Sequence, residues 1–154
     1  MMEGRHLHKN IIIMAAALVA VAATFNVGQL AKAQLTVSIQ GQGQGHIVSP
    51  CNPAGFPKRA FPALITFQAS GTNGALTGAV SISNPEGEQS IDGTINGGTI
   101  TSNQFTLQGN LQHPLCGTLS FTLSGLCGTN VPIRLIAGNG NLIVTATGTV
   151  TCTT

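Results

Sequence analysis

The sequence predicts an all-β domain, an antiparallel two-sheet sandwich or flattened barrel of about eight strands, after an N-terminal signal helix. Three observations point there. Apolar residues recur at every second position along most of the chain, the period of a half-buried strand. Turn-forming pairs separate these runs. Outside residues 1–33 no segment repeats at the helical period.

The first element is a leader. Arg5 and Lys9 lie in a polar start, Ile11 to Ala23 is uninterruptedly apolar, and Ala31-Lys32-Ala33 supplies small residues before Gln34. That order is a secretory signal peptide over 1–33, with cleavage expected after Ala33. A membrane span needs roughly 20 apolar residues, and this run decays into Thr24, Asn26 and Gln29. Residues 34–154 are expected to form one domain, secreted or held at the cell surface, with no membrane contact after cleavage.

The strands follow in order. QLTVSIQ sets Leu35, Val37 and Ile39 on one face, and GQGQG (Gly41 to Gly45) behind it reads as a flexible hinge. ALITFQA presents Ala63, Ile65 and Phe67; ALTGAVSIS presents Leu76, Val80 and Ile82. SIDGTI gives Ile91 and Ile95, and QFTLQGNL gives Phe105, Leu107 and Leu111. TLSFTLSGL alternates Leu119, Phe121 and Leu123 with hydroxyls, and VPIRLIA gives Val131, Ile133 and Leu135. The last run, NLIVTATGTVTC, sets Leu142, Val144, Ala146 and Val150 against a row of threonines. Turns are expected at Thr72-Asn73-Gly74, Asn84-Pro85-Glu86-Gly87, Asn96-Gly97-Gly98 and Asn139-Gly140.

Glycines 78, 93, 109, 125 and 148 fall in phase with the apolar faces. An inward glycine marks a bulge, a bend or a close backbone approach. Two readings stand: chance in a glycine-rich chain, or a strongly curved sheet with phenylalanines packed over the gaps.

Four cysteines in an exported chain read as two disulfides. They allow three connectivities, and strand parity favours one. Cys127 continues the inward phase of Leu123 and Gly125, Cys152 that of Val150, while Cys116 lies out of phase beside Pro114. The expected pairs are Cys127–Cys152 and Cys51–Cys116. The rival is a metal site of His46, Cys51, His113 and Cys116, since zinc and copper accept such ligands. It lacks the tight Cys-x-x-Cys spacing of structural zinc, and no methionine follows the leader to serve as a copper axial ligand. No metal or cofactor is expected.

Charge excludes further classes. Beyond the leader, Lys58, Arg59 and Arg134 balance Glu86, Glu88 and Asp92, so nucleic acid is not an expected partner. Three acids and two histidines offer little acid–base chemistry, and no Gly-x-Ser-x-Gly elbow is present. No catalytic residue is assigned. Glu86 and Glu88 read as solvated turn charges. Stacking on sugars is disfavoured by the absence of Trp and Tyr. GFPKRAFP gathers Phe56, Lys58, Arg59 and Phe61 in a stiff loop, a candidate interaction tip or a plain solvated connection.

GTINGGTITSNQFTLQG, followed by CGT and a closing GTVTC, resembles small exported all-β proteins of ammonia-oxidising archaea. The resemblance implies export and a β architecture, but no activity and no site residue. The functional expectation is an exported structural or adhesive cell-surface module, partnered by itself or by other surface components. Self-association would proceed by strand addition, with Leu35, Val37 and Ile39 exchanged across the GQGQG hinge. The alternatives are an unexchanged first strand and a domain binding a small ligand or metal.

Overall fold

The computed structural model describes residues 35–49, 51 and 59–154. The leader lies outside them, as do Phe56 and Lys58 of the candidate interaction tip. Leu35–Thr154 form one unit.

Eight strands wind up and down in sequence order: β1 (Thr36–Val48), β2 (Ala60–Thr72), β3 (Ala75–Ser83), β4 (Ser90–Thr101), β5 (Gln104–His113), β6 (Gly117–Leu126), β7 (Gly128–Ala137) and β8 (Leu142–Thr153). Every neighbouring pair is antiparallel, and β1 also pairs with β8 from Ser38↔Thr153 to Val48↔Ile143. The sheet is therefore a closed barrel rather than a two-sheet sandwich. Closure satisfies the backbone groups of both terminal strands. In a chain with so few charges to blunt an edge, it removes the edge itself.

The interior is filled. Alternate residues of all eight strands point inward and form a single apolar cluster, with Leu76, Leu107, Leu123 and Leu135 fully buried. No polar or charged side chain is buried among the described residues. Outward positions are mainly Thr, Ser, Gln and Asn, so polarity runs opposite to that of a lipid-facing barrel.

Three expectations are corrected. GQGQG is no hinge: it lies within β1, hydrogen-bonded to β2 and β8 on either side. Val37 and Ile39 sit in the core of this chain's barrel. Leu35 precedes the strand and is 73% exposed, so it belongs to no apolar face. Asn96-Gly97-Gly98 is no turn: it is a bulge inside β4, where the register to β5 shifts between Ile95 and Gly97. The chain reverses later, between Thr101 and Gln104, with Ser102 in the left-handed region at φ 57°.

The inward glycines do mark curvature. A Cβ on Gly78, Gly109 or Gly148 would collide with a carbonyl of the adjacent strand, so the backbones come together where the barrel bends.

Candidate functional site: the clamped mouth

The N-terminus of β1, the C-terminus of β8 and the β2–β3, β4–β5 and β6–β7 turns share one end of the barrel. Cys127–Cys152 lies there, with Cα atoms 5.8 Å apart. The other end carries the longer connections, and Cys51–Cys116 ties the segment after β1 to the β5–β6 turn across 65 residues of chain. At this second end the described residues form a mouth.

Apolar walls come from inward positions at the strand ends: Ile47 of β1, Phe61 of β2, Ile82 of β3 and Ile91 of β4. Phe61 pairs with Ile47 and continues the inward phase past the packed core, leaving it 51% exposed. Leu115, 64% exposed, and Pro114 close another side. The β3–β4 turn contributes Glu86 and Glu88 to the lining, so the solvated-charge reading placed them correctly in a turn and missed the cavity beneath. The open cavity measures about 870 Å³.

His113 is a polar group of the lining that the fold holds in place. It takes the next inward position after Leu111, at the last residue of β5. Its Nδ1 accepts hydrogen bonds from the backbone N–H groups of Leu115 at 3.0 Å and Cys116 at 3.1 Å. With that lone pair engaged, the ring proton belongs on Nε2, which donates to Ser49 Oγ at 3.3 Å. Burial holds the ring below the usual histidine value, favouring this neutral form. One imidazole thus fixes the β5–β6 turn and reaches the segment leading to Cys51.

This geometry decides two chemistries. Cys51, His113 and Cys116 do come together, with ligand atoms all within 4.8 Å of one another. Both sulfurs, however, are joined in the disulfide, and His113 Nδ1 faces two donors. His46 points outward from β1, paired with Pro62 and Thr145, and is exposed. The four-ligand set is not assembled. Nor is Ser49–His113 an activated nucleophile. A serine needs the facing nitrogen to accept its proton, and here that nitrogen carries one.

Of the interaction tip, Arg59 is exposed just before β2 and Phe61 lines the mouth. Ser49 and Leu115 were not anticipated. The signal was present in HPLC, where a histidine three residues before a cysteine can cap the turn between them.

Fold and site define a closed, up-and-down β-barrel with a filled interior and a disulfide-clamped mouth. No family model, no curated protein and no solved structure matches the chain. The two disulfides are consistent with an extracytoplasmic protein. Among the described residues no helix is long and apolar enough to cross a membrane.

Proposed function

We propose that the protein is an exported binding module, secreted or displayed at the cell surface, that holds a small and largely apolar ligand in its clamped mouth. The observation that carries this is the cavity of about 870 Å³, whose lining is more apolar than polar and includes His113, held by two backbone N–H groups, with Glu86 and Glu88 on the β3–β4 side. Barrel mouths and cavities of about 300–1,000 Å³ with few convergent polar groups are the usual form of a small-ligand site. A filled lumen leaves the mouth as the place where such a ligand would enter. The reading is non-catalytic, and export rests on the leader at residues 1–33. This reading does not rely on strand addition, since the closed barrel of one chain leaves no free strand edge.

A neutral solvatochromic dye tests this. Saturable one-to-one binding, lost in a Phe61→Ser/Leu115→Ser double variant, is expected. Absence of saturable binding, or binding untouched by those changes, would count against the mouth.

A further inference from the structure

The outer wall of a small barrel is ordinarily convex, yet here it carries a hollow. Register explains it. The inward row Val150–Gly41–Phe67–Val80–Gly93 runs across β8, β1, β2, β3 and β4. Glycine holds two of its five places, and the Phe67 ring occupies the space beneath Gly41. Missing side chains let the sheet dip toward the axis. The depression above measures about 640 Å³. A second, of about 350 Å³, lies one row along, over Gly43 and Gly148, and shares Gln42, Thr66 and Thr149 with the first.

Two outward rows flank the hollow, roughly 7 Å apart at about 3.4 Å per residue. One is Thr151–Gln40–Gln68; the other is Thr149–Gln42–Thr66–Ser81–Asp92. The Gln and Thr side chains of both rows are exposed. Amides and hydroxyls donate and accept alike. The lone carboxylate, Asp92, is tied to Ser81 at 2.7 Å and Ser90 at 3.2 Å.

We propose that this hollow is a glycan site, taking a neutral polyhydroxylated chain laid across strands β8 to β4. The lining selects that class. It holds no cation, so a polyanion finds no counter-charge. An extended peptide docks on a sheet through unpaired backbone at an edge, and every strand here is paired on both sides. A neutral chain of hydroxyls matches rows of uncharged donors and acceptors. Recognition proceeds by hydrogen bonds along a cleft, not by the aromatic stacking for which the chain lacks Trp and Tyr.

The test uses the full-length, oxidised protein in affinity electrophoresis against soluble dextran, mannan and β-glucan, with dextran sulfate as the anionic comparison. Retardation by at least one neutral polymer is expected. It should weaken roughly tenfold or more, about 1.4 kcal/mol, in Gln42→Val/Thr149→Val, exposed changes that leave the thermal midpoint in place. Amide resonances of Gln40, Gln42 and Thr149 should shift on binding. No retardation by any neutral polymer, stronger binding of dextran sulfate, or binding unchanged by the variants overturns the proposal. Shifts confined to His113 and Leu115 would assign the sugar to the mouth and overturn it equally. Loss of dye binding at the mouth has no bearing on this result.

Discussion

Phe67 stands directly across from Gly41 in the β1–β2 register, and its ring fills the space that a side chain on residue 41 would need. The same relationship recurs between β5 and β6. Phe105 faces Gly125, and Phe121 faces Gly109, each ring approaching to 2.9 Å of a Cβ placed on the glycine. Each core phenylalanine is thus set over a cross-strand glycine, and Phe67 and Phe105 meet at 5.4 Å between ring centroids. Leucines face leucines elsewhere in the core, as at Leu107↔Leu123, but each core phenylalanine ring has a glycine as one of its cross-strand partners. Setting the largest side chains against the smallest fills the interior while bending the sheet.

Gly41→Ala should therefore destabilise the barrel by about 1–3 kcal/mol, the usual cost of forcing atoms into a packed core. Gln42→Val, one residue away but outward, should stay within about 0.5 kcal/mol. Urea denaturation of the two variants checks the contrast. Equal midpoints would show that the ring can move aside.

Asn73 should act as an extra rung at the end of the barrel that carries Cys127–Cys152. Its side-chain Nδ2 donates to the Ile100 carbonyl at 2.9 Å, and its Oδ1 accepts from the Ile100 N–H at 2.8 Å. Asn73→Ala leaves both backbone groups of a buried core residue without that partner. A loss of about 1–3 kcal/mol is expected, with faster amide exchange at Ile100. Unchanged exchange there would mean that water replaces the side chain.

Each disulfide should contribute about 2–5 kcal/mol, measured by denaturant unfolding of Cys51→Ser/Cys116→Ser and Cys127→Ser/Cys152→Ser. Peptide mapping without reductant should yield the Cys51–Cys116 and Cys127–Cys152 fragments. A Cys116–Cys127 fragment would contradict the fold, since those residues lie at opposite ends of β6.

The mouth should weaken on acidification. His113 is harder to protonate in the folded protein than the usual histidine value of 6.5 allows, through burial. Below that value the unfolded chain binds the extra proton, and stability falls with pH. The His113 contribution is thus complete above about pH 6.5 and is lost as pH drops through the folded value. Protonating Nδ1 would also set it against the two N–H groups it now accepts. His113→Asn keeps an acceptor near that place without a titrating ring, so it should flatten the stability profile across this window. A profile identical to that of the parent protein would remove His113 as the cause.

Much of the barrel was legible from alternation, because a period of two leaves one face apolar wherever one side of a strand is buried. Leu119, Phe121 and Leu123 on β6 and Leu142, Val144 and Ala146 on β8 were readable in this way, and the expected Cys127–Cys152 pairing is present. Gly41, Gly43 and Gly45 were not. A glycine carries no polarity to alternate, and three of them in phase look like a linker until a partner strand is known. Asn96-Gly97-Gly98 misled for a related reason, since a bulge and a turn ask for the same permissive residues. At the mouth, His113 and its cysteine partner were visible as a motif. The contributions of Ile47, Phe61, Ile82 and Ile91 were not, because four separate strand ends supply them.

By itself, the sequence determined the strand class, the inward faces and the residue types of both disulfides. These follow from local periodicity and from cysteine count. Only the tertiary structure decided that the sheet closes, that β1 pairs with β8 as well as with β2, and that a hollow lies on the outer wall over Gly41 and Gly93. Those outcomes depend on which strands become neighbours, and β1 meets β8 from the far end of the domain. A pairing that distant leaves no mark in local sequence; it arises because closing the ring satisfies the last two unpaired edges at once.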